Sequence, residues 1–157
     1  MSKVKSRQEI RQIVDSLKKR SQKIVFTNGC FDLIHAGHIK YLRKAKDLGD
    51  ILIVGLNSDE SVKRLKGNDR PLNLQQARAL VLSELISVDY IVIFQEDTPY
   101  DLIKYIKPDI LVKGGDWQVK DIVGSELVLK NGGEVLSINY ITGFSTTQII
   151  NRIKHGK

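Results

Sequence analysis

The sequence predicts an α/β domain on a parallel five-stranded sheet of order 3-2-1-4-5, with helices on both faces in three layers. Three observations carry this. Short continuous apolar runs such as Ile51-Leu52-Ile53-Val54-Gly55-Leu56 read as strands covered on both sides. They alternate with stretches of helical spacing, as in a parallel sheet wound by crossovers. Right-handed crossovers then place strands one and four side by side where the winding reverses, and both lead into glycine turns.

Along the chain, Ser6-Arg7-Gln8-Glu9 fits a capping box, and Ile10, Ile13, Val14 and Leu17 form a stripe, so a helix is expected over about residues 7–20. Ile24-Val25-Phe26-Thr27 is the first strand, broken by Asn28-Gly29. A helix follows from about Gly37, with Ile39, Leu42 and Ala45 on its apolar side. Ile51 to Leu56 is the second strand, Asn57 to Glu60 opens a short helix, and Leu74 to Ile86 is a longer one with Ala77, Leu80, Val81 and Leu85 apolar. Tyr90 to Phe94 is the third strand, and Thr98-Pro99 starts a helix with threonine as cap. Ile110 to Val112 is the fourth strand, Ser125 to Asn131 a helix, and Val135 to Ile141 the fifth strand. A last helix follows Ser145, with Ile149, Ile150 and Ile153 apolar. Residues 1–23 are expected to be a basic helical segment packed on the domain formed by residues 24–157.

The 157 residues suffice for one core, and no apolar run approaches the ~20 residues of a membrane span. The first residues lead into a charged segment without an apolar core, so no secretory leader is expected. One cysteine excludes an internal disulfide and agrees with a reducing cytoplasm. Residues 1–23 hold eight Lys/Arg against two Asp/Glu and so account for six of the seven net positive charges. The body is nearly neutral, which favours a solvated helix face over a nucleic-acid arm.

His35 and His38 lie three apart at a helix start, so both point the same way. With Gly29 before them, they form an anion site of free N–H groups, helix dipole and imidazole donors; packing is the alternative. Two histidines without a third ligand do not make a zinc site. Cys30 reads as a small residue in a tight loop, and Asp32 as a loop-fixing acid that can also reach a metal. Lys63, Arg64, Lys66 and Arg70 lie on a loop broken by Gly67 and Pro71, either a mobile phosphate clamp or a solvated charge run. Arg78, on an apolar helix face, is a second phosphate candidate or one half of a surface ion pair. Asp116 can accept from a ribose hydroxyl. Trp117 can stack on a base or pack. Ser145-Thr146-Thr147-Gln148 fits a capping box and also suits a triphosphate.

The stretch G-C-F-D followed by H-A-G-H resembles the signature of the cytidylyltransferase-like nucleotidyltransferases. From Ile24 to Lys154 the chain is similar to the adenylyltransferase domain of bacterial heptose kinase/adenylyltransferases. T-N-G-C-F-D, V-G-L-N-S-D, R-L-K-G-N-D-R-P, L-V-K-G-G-D-W and G-F-S-T-T-Q carry the match. The resemblance implies a Rossmann-like nucleotidyltransferase fold. It also implies transfer of AMP from ATP to heptose 1-phosphate, with magnesium, pyrophosphate release and a place in lipopolysaccharide core synthesis. His35, His38, Lys66 and Arg78 would be catalytic. Thr27, Asn28, Gly29, Cys30, Phe31, Gly37, Gly114, Asp116, Trp117, Ser145, Thr146 and Thr147 would bind nucleotide, and Asp32 would reach the metal. No sugar-kinase region accompanies these motifs, so any kinase is expected on a separate protein, and a homodimer is a possible assembly.

Glycerol-3-phosphate cytidylyltransferases have tryptophan where Ala36 stands and arginine where Tyr140 stands, and both departures count against CTP and glycerol phosphate. The acceptor phosphate is already ionised at neutral pH, so the expected work is alignment and charge neutralisation rather than strong base catalysis. The competing readings are a cytidylyltransferase acting on a polyol phosphate and a non-catalytic nucleotide- or RNA-binding module.

Overall fold

The computed structural model describes residues 2–139 and 145–156. A parallel sheet of five strands runs β3-β2-β1-β4-β5, the order expected from the sequence. The strands are β1 (Ile24–Gly29), β2 (Ile51–Asn57), β3 (Tyr90–Phe94), β4 (Ile110–Gly114) and β5 (Glu134–Ile138). The helices are α1 (Arg7–Lys19), α2 (Ala36–Lys46), α3 (Asp59–Lys66), α4 (Gln75–Ser83), α5 (Tyr100–Ile106), α6 (Ser125–Lys130) and α7 (Thr146–His155). None of the described helices is long and apolar enough to cross a membrane.

Two cores sandwich the sheet. On one face α1, α5 and α6 press Ile10, Val14, Leu102, Ile103 and Val128 against Phe26, Ile53 and Leu111. On the other, α2 and α4 press Tyr41, Leu42, Ala45, Ala79 and Leu82 against Val25, Val54 and Val112. The opposite sets of strand residues follow from the period of two along each strand. Crossovers through α2, α3 and α4 build the sheet outward from β1 in one direction, and those through α5 and α6 in the other. The winding therefore reverses between β1 and β4.

The capping box at Ser6 and Glu9 is present, and α1 buries Ile10, Val14 and Leu17. The residues ahead of it carry a role that composition did not reveal. The Lys5 amide donates to the Ile91 carbonyl at 2.8 Å, and the Ile91 amide donates to the Lys3 carbonyl at 2.9 Å. Val4 thus forms a parallel bridge along β3, covering an edge that would otherwise expose unpaired backbone. Deleting residues 1–5 should lower stability by about 1–2 kcal/mol, the worth of two backbone hydrogen bonds, and leave turnover unchanged. Urea unfolding and a turnover assay check both halves.

Several expected faces are rotated. Ile39 is exposed and Tyr41 takes the inward position on α2, because its hydroxyl meets Thr27 Oγ1 at 2.5 Å and the Val112 carbonyl at 3.3 Å. On α4 the buried residues are Arg78, Ala79 and Leu82, while Leu80 and Val81 face solvent and Ile86, past its end, is 90% exposed. A guanidinium that finds several carbonyls inside outweighs the apolar stripe. Pro99, rather than Thr98, occupies the cap position of α5. No residue of α7 is buried, and Ile153 is 76% exposed. Tyr140, Ile141, Gly143 and Phe144 lie outside the described residues.

Candidate active site at the carboxyl ends of β1 and β4

After β1 the chain makes a tight passage. Phe31 has φ +46°, a left-handed angle unusual for a residue with a side chain, and its ring is buried. A Cβ on Gly29 would lie 3.0 Å from that ring, so glycine permits the close approach. His35 then takes an extended conformation as the residue capping α2. The rings of His35 and His38 stack with centroids 4.0 Å apart, and the Phe31 ring lies 5.4 Å from His38. The His35 amide donates to His38 Nδ1 at 3.4 Å. That contact assigns the proton of neutral His38 to Nε2, leaving an N–H directed outward. Burial, then the neighbouring charges of His35 and Lys66, lower the His38 pKa to about 4. Burial alone lowers that of His35. At neutral pH His38 is therefore an uncharged donor at a helix N-terminus whose first amides are unpaired within the helix.

The basic loop between α3 and α4 is pinned. Both oxygens of Asp32 accept from the Leu72 amide, at 2.8 and 2.9 Å, and Oδ1 also accepts from the Asn73 amide at 2.9 Å. Arg70 Nε donates to Oδ2 at 2.7 Å. Burial pushes the Asp32 carboxyl up, but the Asn73 and Leu72 amides and the Arg70 guanidinium more than offset it, leaving it below its ordinary value. Asp32 is thus the loop-fixing acid, and its carboxylate is closed by protein donors rather than open to a metal. Lys66 is exposed and close enough to His38 to act on it. Arg70 Nη2 is buried, with no hydrogen-bond partner among the described residues. Arg64 is turned away, bonded to Asp97 at 2.6 Å and to the Gln95 carbonyl.

Arg78 differs from both of its sequence readings. Its side chain is fully buried, with Nε on the Asn73 carbonyl at 2.9 Å and Nη1 on the carbonyls of Cys30 and Asn57 at 2.6 and 2.8 Å. Nη2 pairs with Asp59 at 2.8 Å. Its side chain exposes no surface to the site in this structure. It rivets the loop after β1 to the end of β2 and the start of α4. Thr27 is fully buried and its hydroxyl is held by Tyr41. Phe31 offers the site its backbone only, because its ring packs under His38.

The loop after β4 converges on the same end of the sheet. Gly114 is buried within the strand, and Gly115 turns with φ +117°, where a side chain would be strained. Asp116 is exposed, and Trp117 is 48% exposed with its amide donating to Ser137 Oγ at 3.2 Å. Ser145 caps α7 by accepting from the Gln148 amide at 3.1 Å, one half of the expected box. Thr146 Oγ1 donates to the Leu33 carbonyl at 3.4 Å, which brings the hydroxyl-rich start of α7 beside the approach to α2. Asn28, Gly29 and Cys30, at and just past the end of β1, and Gly37, in the first turn of α2, are partly exposed. Two clefts of about 670 and 660 Å³ open elsewhere, one at the amino ends of β1, β4 and β5 and one beside Arg7 and Glu96. Neither includes the histidines, and the convergence of loops rather than concavity marks the site.

Among the described residues no cluster of three His, Cys, Asp or Glu side chains forms a metal cage. Magnesium arriving on a nucleotide keeps most of its ligands from phosphate and water, so a protein cage is not required. Asp32 does not fit as its ligand.

Lys113 and Tyr41 are the residues that sequence reasoning passed over. The signal for the first was present: a lysine at the end of an apolar strand, just before a double glycine.

Comparison with known proteins agrees with this fold. The bifunctional protein HldE of a Nitratiruptor species is 58% identical over 151 residues, covering 96% of this chain and 32% of that protein. The chain therefore spans about a third of the length of such curated relatives. The crystal structure of a lipopolysaccharide core biosynthesis protein from Thermoplasma volcanium is 32% identical and superposes with a TM-score of 0.60, covering 76% of this chain and 97% of that one. Pantoate-beta-alanine ligase from Francisella tularensis, solved with a nucleotide and beta-alanine, gives a TM-score of 0.65 over 98% of this chain and 77% of that one. At 17% identity that likeness is of fold alone. The cytidylyltransferase-like family matches residues 26–152, most of the chain, and to that family the chain belongs.

Proposed function

We propose that this domain transfers AMP from ATP to heptose 1-phosphate, releasing pyrophosphate and forming ADP-heptose for lipopolysaccharide core synthesis. The observation that carries the reading is the stacked pair His35 and His38 at the N-terminus of α2, placed at the point where the sheet reverses its winding. Supporting it are the identity to HldE proteins and the T-N-G-C-F-D to G-F-S-T-T-Q series of motifs.

The acceptor phosphate oxygen attacks the α-phosphorus of ATP and needs no proton removed. His38 donates its Nε2–H to a non-bridging oxygen as charge builds, with His35 and the amides of Ala36 and Gly37 beside it. Lys66 and Arg70 neutralise the departing pyrophosphate. Asn28 to Cys30 supply a tight backbone turn against the phosphates. Asp116 holds the ribose, Trp117 stacks on the base, and Ser145, Thr146 and Thr147 close over the nucleotide. Magnesium, bound with ATP, shields the triphosphate charge. Arg78 acts through the backbone it holds.

ATP with heptose 1-phosphate should release pyrophosphate at least about 100-fold faster than CTP with glycerol 3-phosphate, the discrimination expected when buried polar groups match only one partner. A coupled pyrophosphate assay over both pairs tests this. Preference for the second pair would make the domain a polyol-phosphate cytidylyltransferase.

A further inference from the structure

The sheet is not continuous where it reverses. β1 and β4 pair only through Val25 with Ile110 and Phe26 with Leu111. Both strands continue three residues further, to Gly29 and Gly114. Over Thr27–Gly29 and Val112–Gly114 they part, leaving a wedge in the middle of the sheet that opens toward the histidine loop. On the α2 face, the Tyr41 hydroxyl closes the wedge through Thr27 and the Val112 carbonyl.

The opposite face holds Lys113. Alternation along β4 puts it on the side of Leu111, whereas Val112 faces Tyr41. Its backbone is paired with Ser137 of β5, so the residue is central in the sheet rather than at an edge. The side chain is half-buried. Among the described residues it forms no ion pair: the seven salt bridges go to other cations. It also makes no side-chain hydrogen bond there, unlike Lys3, Lys18, Lys23 and Lys46. Burial pushes its ammonium below the ordinary lysine value, opposed by Cys30 of the phosphate turn. Partial burial leaves this ammonium less hydrated than that of a surface lysine, a cost that no counter-ion among the described residues offsets. An arriving anion removes it.

We propose that Lys113 is a substrate-binding residue whose ammonium takes a phosphate oxygen in the wedge between β1 and β4. This rests on the nucleotidyltransferase reading and adds a cation to it from the floor of the site, opposite the histidines. The phosphate belongs either to the nucleotide or to the acceptor, and the two have the same chemistry at this contact.

Lys113→Met keeps the apolar stem and removes the charge, while Lys113→Arg keeps the charge. Pyrophosphate release is measured for each while ATP and heptose 1-phosphate are varied in turn, with thermal melts in parallel. Lys113→Met should lower kcat/KM at least about 30-fold and melt no lower than wild type, because it removes a partly buried ammonium that no described residue pairs with. Lys113→Arg should recover much of the loss. A KM effect confined to ATP assigns the contact to the nucleotide, and one confined to the sugar phosphate assigns it to the acceptor. Wild-type kinetics in Lys113→Met would overturn the proposal. So would loss of activity in Lys113→Met and Lys113→Arg alike with a lower melting temperature, since the lysine would then be structural. If wild-type protein releases no pyrophosphate from these substrates, the functional reading fails by itself. Calorimetric binding of ATP and of heptose 1-phosphate then decides on Lys113: weaker binding of either by Lys113→Met upholds the contact, and equal binding of both overturns it.

Discussion

His38→Asn should turn over about 10²–10³ times more slowly than wild type, the usual loss when one preorganised donor to developing charge is removed. The geometry concentrates the effect in the chemical step. Burial, His35 and Lys66 keep His38 neutral, and the His35 amide on Nδ1 aims the remaining N–H outward. Such a donor gains most when the transferred phosphoryl group carries most charge, so ATP affinity should change less than kcat. Asparagine retains a polar group of similar reach, and the Phe31 ring still covers it. Steady-state kinetics with a binding isotherm separates the two quantities. A variant that unfolds early yet turns over normally when folded would make His38 a packing residue. A pH signature accompanies it. The folded imidazole titrates near 4 rather than 6.5, so the unfolded chain binds that proton first. The stability it confers is complete above about pH 6.5 and fades as pH falls toward 4. That component should be missing from the pH–stability curve of His38→Asn.

Arg78→Met should be the most destabilising single change, costing about 3–5 kcal/mol, the range for removing one partner of a buried charged pair. The methionine fills part of the volume but strands the Asp59 carboxylate and the carbonyls of Cys30, Asn57 and Asn73. Lysine should not rescue it, because one ammonium cannot reproduce a planar fork that spans three chain segments. Urea unfolding gives the magnitude. A loss under about 1 kcal/mol together with a large rise in the KM for ATP would return Arg78 to substrate contact.

These two residues mark where reading the sequence succeeded and where it stopped. His35 and His38 were legible because a helix start and a spacing of three fix their direction locally, and the turn before them is written in Asn28-Gly29. Arg78 was not. On one strand of text it is a cation on an apolar helix, and its partners lie 5, 19, 21 and 48 residues away. The same holds for Asp32, whose loop-fixing role depends on amides 40 and 41 residues further on.

The sequence by itself determined the alternation of elements, hence the strand order and the crevice where the winding reverses, because apolar period and crossover handedness are local and general rules. It also determined the turn that brings the two histidines together, since glycine, helix start and histidine spacing act within a dozen residues. Only the tertiary structure decided which charged groups remain available to a ligand. It closed Asp32 and Arg78 with protein partners, paired residues 3–5 with the edge of β3, and left Lys113 in a wedge without one among the described residues. Hydrogen-bond satisfaction is settled between segments distant in the chain, so no reading of neighbours can supply it.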